Sequence, residues 1–498
     1  MEKRVDELND FYCRFDNKDF SNELQNIEKE VEGMCKGLDR VTFTAEEVRR
    51  VLAKTNPCKA PGPDSVKGRV LKLCSEELSQ VLCDLFNRCI AEGIIPPGWK
   101  FSIIRPVPKH KHASVLNDFR PIALTSLIAK CFERLILGRL KMEVLDYSDP
   151  FQFAYRANRS TDDAVITLLQ KTIDHLETPA SFARILFLDF SSAFNTMQPH
   201  LLCQKLLNTN VHPDLIRWVF NFLVNRGQCV RVGEATSTTR HTSTGAPQGT
   251  VTAPILFTTY TNDMRGPDEN AIAVKFADDT ALVDVSNDDE HFEAAVTGIE
   301  QWCEDHHLIL NVQKTEEVVV DFRRNGEPIR SLKIKGEVVR RVDKYKYLGV
   351  QIDSKLTFSD HVHQVYAKCQ QRLYLLRRLS RLHVNNQILK SYYSCHVESV
   401  LTYALIAWYR LCGLKEKKKL EKVVNAGSKL CGMKCVSDAC LYEKRVRKKA
   451  RKIVKDKAHV LSGYFKTLPS GRRYQVMKVK TNRAKNTFIS QAIILLNK

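Results

Sequence analysis

The chain has 498 residues, of which 43% are hydrophobic and 27% charged, and its net charge is +20. These proportions are typical of a soluble globular protein with two to four domains. The sequence contains no run of 18 apolar residues, and its N-terminus lacks the apolar core of a signal peptide. We therefore expect an intracellular protein of the nucleus, the cytoplasm or both, without a membrane as a partner.

The positive charge is concentrated in the C-terminal part of the chain. Residues 357–498 carry 31 of the 77 Lys and Arg residues but only 7 of the 57 Asp and Glu residues, a surplus of +24, whereas the preceding residues have a net charge of −4. This imbalance favours a polyanionic partner for the C-terminal part. The densest basic run, residues 444–457, suits RNA binding or a nuclear-import signal equally well.

Residues 1–98 show helical patterns but little recognisable chemistry. Thr44, followed by two acidic residues, is typical of a helix N-cap and predicts a helix to about Lys54. The prolines and glycine of residues 56–66 predict a loop. The apolar spacing then predicts a further helix that ends at Gly93.

Residues 101–109, FSIIRPVPK, predict a β-strand that its prolines should confine to the edge of a sheet. A strand or loop follows and leads into a long amphipathic helix. Lys109 and Arg120 would lie on one hairpin, where they either grip phosphate groups or are simply solvated.

A carboxylate follows directly after a strongly apolar segment. Residues 185–188 are typical of a centrally buried strand, and Asp189 comes next. A buried carboxylate is costly unless a cation or hydrogen bonds compensate it, so Asp189 either binds a cation or caps the following turn. Helices are expected over residues 198–208 and 212–225.

Residues 243–264 predict a loop rich in Gly and Pro, followed by a helix. The glycines of this loop would let the backbone approach a ligand closely, and Gln248 offers an amide that both donates and accepts hydrogen bonds. Without further partners, the same segment would be an ordinary loop that precedes a helix.

Residues 274–283, VKFADDTALV, predict a β-hairpin with Asp278 and Asp279 at its tip. A divalent cation makes such close carboxylates tolerable, although Asp-Asp is also common in solvated turns. If the strands that carry Asp189 and Asp278 are neighbours in one antiparallel sheet, their carboxylates converge. Two Mg²⁺ ions bound there would suit nucleotidyl transfer.

The remaining sequence alternates between helical and strand patterns. A helix is expected over residues 292–308, followed by a loop that contains Lys314 and then by a strand. Residues 345–353, YKYLGVQID, predict a single strand in which Gly349 marks a close backbone contact or a bulge. From Phe358 onward the pattern is helical and basic.

Nine motifs occur in an order that resembles the reverse transcriptases of LINE-type non-LTR retrotransposons, from about residue 55 to the C-terminus. The motifs are APGPDSV, WKFSIIRPVPK, NDFRPIALTS, FAYRANRSTDDA, FLDFSSAFNTM, TGAPQGTVTAP, FADD, LNVQKTE and KYLGVQID. The resemblance implies an α+β, right-hand polymerase fold with fingers, a palm built on an antiparallel sheet, and a helical thumb. The implied segments are an N-terminal extension with the APGPD loop (1–98), fingers and palm (99–356), thumb (357–430) and a basic, mainly helical extension (431–498).

The resemblance also implies roles for matching positions. The implied metal ligands are Asp189, Asp278, Asp279 and the carbonyl of Phe190, and the implied catalytic residues are the three aspartates and Lys314. Lys314 would be the general acid for the leaving pyrophosphate. The implied nucleotide-binding residues are Lys109, Arg120, Phe190, Phe194 and Gln248, and the implied primer grip is Tyr347, Leu348 and Gly349. Phe194 would be a steric gate against a ribose 2′-hydroxyl, which argues against an RNA-dependent RNA polymerase.

Basic helices near the C-terminus would hold the nucleic acid. The residues expected to contact it are Arg372, Arg377, Arg378, Arg381, Lys448, Lys449 and Arg451. The alternative for these residues is a solvated helix face. If they neutralise phosphates, binding should weaken steeply as the salt concentration rises.

The implied activity is Mg²⁺-dependent DNA synthesis from dNTPs, on an RNA template, from the 3′-hydroxyl of a DNA primer or a nicked target DNA. Full elements of the family carry an endonuclease domain ahead of the polymerase, and this sequence shows none. The alternative is therefore a truncated or repurposed retroelement protein that binds RNA without polymerising. Ala253 also stands where many relatives have Ser, which is a mild departure.

Overall fold

A computed structural model describes residues 2–144, 147–324 and 326–498. The chain divides into two compact units. The first unit comprises Met1–Asp149, Phe190–Asp263 and Trp302–Ile309, and the second comprises Pro150–Asp189, Met264–Gln301 and Leu310–Lys498. Within the described residues, none of the helices is both long enough and apolar enough to cross a membrane.

The first unit is mainly helical and contains one five-stranded sheet. Its helices are Glu2–Cys13, Ser21–Met34, Ala45–Ala53, Gly68–Leu73, Glu77–Glu92, Pro97–Lys100, Leu127–Val144, Ala193–Thr196, Pro199–Leu207, Pro213–Leu223 and Ala253–Tyr260, with a 3₁₀ turn at Leu116–Asp118. Its strands are Ser102–Pro108, Phe119–Leu124, Arg226–Val232, Ala235–Thr236 and Arg240–Thr242. The helix predicted after Thr44 is confirmed, because the Thr44 and Glu47 side chains form a reciprocal capping box at its start.

The edge position predicted for the strand Ser102–Pro108 is wrong. This strand lies between Phe119–Leu124, to which it is antiparallel, and Arg226–Val232, to which it is parallel. Pairing to the second neighbour involves only Ser102–Ile104 and stops before the prolines. Because proline cannot donate to a ladder, the prolines restrict the pairing of their own half of the strand and not the position of the whole strand.

The second unit is built on a five-stranded sheet. From one edge to the other, its strands are Arg340–Arg341, Glu316–Asp321, Phe182–Leu188, Asp279–Asp284 and Ala271–Phe276. The central strand, Phe182–Leu188, is buried along its whole length and runs antiparallel to both neighbours. This confirms that the strand preceding Asp189 and the hairpin of Asp278 are neighbours in one antiparallel sheet.

The predicted hairpin at residues 274–283 is also confirmed. Its strands pair from Ala271 opposite Asp284 to Phe276 opposite Asp279. The two residues of the turn are Ala277 and Asp278, and Ala277 has a φ of 58°. A positive φ is uncommon for a residue other than glycine, so this turn needs support from its surroundings.

The single strand predicted for residues 345–353 is wrong, because the segment is a second hairpin. Its strands are Lys344–Tyr347 and Val350–Asp353. Leu348 and Gly349 form the turn with φ values of 45° and 83°, as a two-residue hairpin turn requires. A side chain at Gly349 would begin 3.1 Å from the Tyr403 ring, so the glycine does mark the predicted close contact.

The rest of the second unit is mostly helical. Its helices are Thr161–His175, Asp289–Asp305, Ser359–Arg381, Asn386–Tyr392, Ser399–Leu401, Leu405–Trp408, Leu414–Cys431, Asp438–Lys455, Asn482–Lys485 and Phe488–Asn497, with a π-helical turn at Tyr393–Glu398 and a 3₁₀ turn at Ser462–Tyr464. Short strands at Lys333–Ile334 and Glu337–Val338 form a separate ladder. Side chains of the sheet and of these helices share one hydrophobic core.

Candidate active site

Three carboxylates lie at one end of the sheet in the second unit. Leu188 pairs with Thr280, so Asp189 and Asp279 occupy the next positions on neighbouring antiparallel strands. Asp278 lies in the turn immediately before Asp279. The sheet thus brings together the three aspartates that the sequence singles out.

The electrostatics agree with this proximity. The pKa of Asp279 is raised to about 6, first by partial burial and then by the negative charges of Asp278 and Asp189. The Asp279 side chain is accessible to solvent on one side, while the surrounding protein displaces water from the other. Since neighbouring carboxylates repel each other, a bound cation would favour the ionised forms of all three groups.

The donor set suits Mg²⁺ held together with a substrate better than a closed structural metal site. Over the described ranges, no three His, Cys, Asp or Glu side chains form a ready-made metal-binding group. Mg²⁺ commonly takes only one or two protein carboxylates and completes its shell with water and substrate phosphates. Each of the three aspartates could therefore supply a carboxylate to a divalent metal ion.

Gln152, which sequence reasoning missed, supports the turn of Asp278. It is only 2% exposed, and its Oε1 accepts hydrogen bonds from the backbone N–H groups of Ala154 (3.0 Å) and Ala277 (3.1 Å). The segment around Gln152 also pairs with Lys275, the third residue before Asp278. Gln152 therefore fixes the positive-φ residue that precedes Asp278.

The loop that carries Lys314 is tied to Asp189. The backbone N–H of Asn311 donates to the Asp189 carbonyl (2.8 Å), and the Asp189 N–H donates to Thr315 Oγ1 (3.3 Å). The Lys314 N–H closes the loop by donating to the Asn311 carbonyl (3.1 Å). The Lys314 side chain is exposed, so it is available to a substrate near the carboxylates.

The hairpin of the predicted primer grip packs on the strands of the carboxylates. Tyr347 is buried, and its hydroxyl donates to the Val274 carbonyl (3.3 Å). The Tyr403 hydroxyl donates to the Leu348 carbonyl (2.7 Å), next to Gly349. The structure therefore places the predicted grip in the same unit as the carboxylates and fixes its turn.

Two further tyrosines lie near the carboxylates and were missed because an isolated aromatic residue gives no signal beyond core packing. The Tyr345 ring stacks on Phe187 at 4.0 Å, and its pKa is raised by burial and then by the charges of Asp279 and Asp189. Burial followed by the charge of Asp278 raises the pKa of Tyr155. Both phenols are therefore neutral groups at the edge of the carboxylate cluster.

In the first unit, backbone hydrogen bonds join the segment of Phe194 to the loop of Gln248. The Ala246 N–H donates to the Phe194 carbonyl (2.8 Å), and the Gly245 N–H donates to the Met197 carbonyl (2.7 Å). The Gln248 carbonyl accepts from the N–H of Ala123 (2.7 Å). The Phe194 ring stacks on Phe257, with 4.5 Å between centroids, and Phe190 is half-buried four residues earlier.

Glu133, a further residue that the sequence did not reveal, holds the other end of this loop. It is 1% exposed, and its carboxylate accepts from the backbone N–H groups of Val251 (2.6 Å) and Thr252 (3.0 Å). These groups precede the helix Ala253–Tyr260, whose N-terminus favours a negative charge. Burial nevertheless raises the pKa of Glu133.

Lys109 and Arg120 lie, as predicted, on one hairpin and are exposed. Arg120 pairs with Val107 in the ladder, two residues before Lys109. The Lys109 N–H donates to the Asp118 carbonyl (2.8 Å), and its ammonium group donates to the Asn117 carbonyl (2.5 Å). The hairpin therefore presents both cations near its tip.

Most of the predicted nucleic-acid contacts are accessible, but Lys449 differs. The exposed residues are Arg377, Arg378, Arg381, Lys448 and Arg451, and Arg372 donates to the carbonyl of His396. Lys449 forms an ion pair with the buried Asp163, whose other oxygen lies 2.9 Å from His459 Nε2. Lys449 thus attaches the helix Asp438–Lys455 to the helix Thr161–His175. Its positive charge is neutralised by Asp163 within the folded chain.

About half of the chain matches the sequence model of a known protein family. Residues 107–352 match the family described as "Reverse transcriptase (RNA-dependent DNA polymerase)". This segment includes the hairpin of Asp278, all three aspartates, Phe194, Gln248 and Lys314. The chain thus contains a reverse transcriptase domain, with a mixed α+β fold.

Three relatives from Drosophila melanogaster indicate the kind of reverse transcriptase that the chain is similar to. The chain is 28% identical over 401 residues to the "RNA-directed DNA polymerase from mobile element jockey", covering 76% of this chain and 42% of that protein. For the "Probable RNA-directed DNA polymerase from transposon X-element", the identity is 27% over 387 residues, with 73% and 42% covered. For the "Probable RNA-directed DNA polymerase from transposon BS", it is 27% over 349 residues, with 67% and 38% covered.

The chain is therefore homologous to the RNA-directed DNA polymerases of non-LTR retrotransposons, which confirms the resemblance predicted from the nine motifs. It spans about two fifths of the length of the relatives that it matches.

Proposed function

We propose that this chain synthesises DNA on an RNA template by two-metal nucleotidyl transfer, extending the 3′-hydroxyl of a DNA primer. The observation that carries the proposal is the convergence of Asp189, Asp278 and Asp279 at one end of an antiparallel sheet. The raised pKa of Asp279 supports it, because a cluster that disfavours its own ionisation has a physical reason to bind cations.

The carboxylates would hold the metal ions. Asp189 and Asp278 are the proposed principal ligands, with the Phe190 carbonyl as a further one and Asp279 as a weaker ligand that orients its neighbour. When bound, two Mg²⁺ ions would activate the 3′-hydroxyl and stabilise the leaving pyrophosphate. Lys314, which is exposed on a loop tied to Asp189, would donate a proton to the pyrophosphate.

Residues of the first unit would bind the incoming dNTP. Lys109 and Arg120 present cations at the end of one hairpin, which suits a triphosphate. Gln248 would contact the nucleotide from a loop whose backbone is held by hydrogen bonds. Phe194, held against Phe257, would exclude a ribose 2′-hydroxyl.

The helical C-terminal part would bind the nucleic acid. In the proposed right-hand arrangement, residues 99–356 are fingers and palm, 357–430 the thumb and 431–498 a basic extension, while Tyr347, Leu348 and Gly349 grip the primer. We leave Lys449 out of the nucleic-acid surface because Asp163 already neutralises it. The remaining exposed basic residues of the helices Ser359–Arg381 and Asp438–Lys455 would contact the RNA template and the DNA primer.

Primer extension on poly(rA)/oligo(dT) with Mg²⁺ tests this proposal, with the parent compared with Asp278→Asn. We expect extension by the parent and a loss of at least about 10³-fold in the variant, because a metal ligand is removed where charge develops. Asp360→Asn is the matched control, since Asp360 is an exposed aspartate of the same unit whose side chain forms an ion pair with Lys344.

Activity that persists in Asp278→Asn would contradict the assignment of the metal site. An inactive parent that still binds RNA would contradict the polymerase proposal and favour the alternative, an RNA-binding protein derived from a retroelement.

A further inference from the structure

The N-terminal helix Glu2–Cys13 lies outside the matched residues 107–352, yet it packs on the sheet of the first unit. On the helix, Val5, Leu8 and Tyr12 are buried, and they form one hydrophobic cluster with Ile104, Ala123 and Val230 of three strands. Ala123 is also the residue whose N–H donates to the Gln248 carbonyl. The helix is therefore an integral support of the strand that holds the Gln248 loop.

A buried asparagine fixes how this helix sits on the sheet. Asn9 is fully buried, and its Nδ2 donates to Ser237 Oγ (3.1 Å) and to the Thr238 carbonyl (2.9 Å). Its Oδ1 accepts from Gln228 Nε2 (3.0 Å). Because each of these polar groups would be costly to leave unpaired, the contacts specify one seating of the helix.

The residues that follow this helix bond directly to the start of the nucleotide loop. The Asp16 carboxylate accepts hydrogen bonds from Thr244 Oγ1 (2.7 Å) and from the Ser243 N–H (3.2 Å). The Arg226 guanidinium donates to the carbonyls of Thr244 (2.6 Å) and Gly245 (2.9 Å). Two groups of opposite charge thus hold the loop residues Ser243 to Gly245, and both of them bond to Thr244.

Burying the positive charge of Arg226 costs free energy, and the loop carbonyls and the charge of Asp16 offset this cost. It is 5% exposed, and burial lowers its pKa to about 10, while the negative charge of Asp16 acts in the opposite direction. Asp16, Arg226 and Gln248 also line one small cavity of about 30 Å³, which is large enough for one water molecule. The N-terminal segment therefore lines the same cavity as the proposed nucleotide-binding glutamine.

The backbone between the residues held by Asp16 and Arg226 and the residue Gln248 is itself tightly packed and hydrogen-bonded. Gly245 has a φ of 76°, and a side chain there would begin 2.7 Å from the Asn195 backbone. The next N–H, of Ala246, donates to the Phe194 carbonyl. A displacement at Ser243–Gly245 would therefore move both the proposed gate and the proposed glutamine.

We propose that Asp16 is a positioning residue for the incoming nucleotide, acting with Arg226 to set the conformation of the loop that carries Gln248. This inference rests on the proposed function, and it extends the nucleotide site to the N-terminal segment. Removing the Asp16 charge should weaken dNTP binding and leave template–primer binding unchanged.

Steady-state kinetics of Asp16→Asn tests the inference. We expect the KM for dNTP to rise by about 3- to 10-fold, the size of one ordinary net hydrogen bond, with kcat and the Kd for template–primer changed less than about twofold. Asp10→Asn is the matched control, because Asp10 lies on the helix that precedes Asp16 and forms an exposed ion pair with Arg240. Asp16 is itself exposed, so its variant should fold, whereas a variant of the buried Arg226 risks unfolding.

Hydrogen exchange provides a second readout that needs no activity. The amides of Gly245 and Ala246 should exchange about tenfold faster in Asp16→Asn than in the parent or in Asp10→Asn. Unchanged exchange, or faster exchange with an unchanged KM for dNTP, would overturn the inference, as would an equal change in template–primer binding. A parent without primer extension would contradict the proposed function separately, and the exchange comparison would still decide whether Asp16 positions the loop.

Discussion

The two ends of the central strand Phe182–Leu188 handle charge in opposite ways. Near its start, Arg184 is fully buried, and its guanidinium forms ion pairs with Glu317 (2.6 Å) and Asp289 (2.7 Å). Directly after its end, Asp189 joins Asp278 and Asp279 in a cluster of like charges. One end balances opposite charges inside the fold, whereas the other gathers charges of one sign at the surface.

This difference between the two ends of the strand indicates which charged residues stabilise the fold and which ones serve a function. A buried ion pair is expensive to break, because removing one partner leaves the other charge in a poorly solvated place. A cluster of carboxylates at an exposed edge makes folding less favourable, which is the arrangement that a functional site requires under our proposal. We therefore expect substitutions at the Arg184 end to reduce stability and substitutions at the Asp189 end to reduce activity.

Arg184→Met should have the largest effect on stability. It leaves the buried Glu317 and the half-buried Asp289 without their shared partner, and we expect a loss of about 3–5 kcal/mol in the free energy of unfolding. Urea denaturation at pH 7.5 measures this loss. Arg340→Met is the control, because the Arg340 side chain is exposed on the edge strand of the same sheet, and its ion pair with Glu316 should contribute at most about 1 kcal/mol. Equal losses in the two variants would break the comparison.

Asp438 provides a buried carboxyl among like charges that has no proposed ligand. It is 4% exposed, and its pKa is raised to about 7 by burial and then by the charges of Glu421 and Glu398. The folded state thus holds this proton more tightly than the unfolded state, whose pKa is near 3.8. The stabilising contribution is complete below about pH 4 and is lost as the pH rises through 7.

Asp438→Asn should therefore raise the free energy of unfolding at pH 8 by about 2 kcal/mol and leave it unchanged near pH 4. Urea denaturation at a series of pH values from 4 to 8 measures the difference. A variant that is less stable than the parent at pH 8 would show that the Asp438 carboxylate is stabilised where it lies, for example by the N-terminus of its helix, Asp438–Lys455.

Asp360→Asn should have the smallest effect. Its ion pair with Lys344 is 2.6 Å long, but both side chains are more than half exposed. Such exposed pairs contribute little to stability, with little dependence on pH near neutrality. Thermal unfolding at low and high salt measures it. A loss as large as that of Arg184→Met would mean that burial does not govern the strength of ion pairs in this unit.

The carboxylate end of the sheet was predictable from local patterns. A continuous apolar strand before Asp189 and two apolar strands around Asp278 each predict their own element without any distant partner. The pairing of these strands was only a condition for metal binding, and the structure meets it. The family resemblance then supplied the roles that strand patterns alone do not give.

The supporting residues were not predictable, because their partners are distant in the sequence. Gln152 holds Ala277, and Glu133 holds Val251, across more than a hundred residues in each case. Asp16 reaches Thr244 across an even longer interval. A polar residue within an apolar or acidic stretch carries no periodicity, so its partner becomes visible only in the folded chain.

The two errors in the fold came from residues that break the local rules. Leu348 adopts a positive φ, which is rare for a leucine, so the segment 345–353 resembles one strand and not a hairpin. Pro106 and Pro108 suggested an edge strand, yet the residues before them pair on both sides. In each case the contacts of the surrounding fold override a preference of single residues.

The rate of single dTTP incorporation on poly(rA)/oligo(dT), measured per folded molecule, tests the contrast between the two ends most directly. Asp278→Asn should lose at least about 10³-fold in this rate without a fall in Tm, while Arg184→Met should keep the rate of the parent and unfold at a lower temperature. A variant Asp278→Asn that retains the rate of the parent, or that loses as much stability as Arg184→Met, would contradict the assignment of the carboxylates to catalysis.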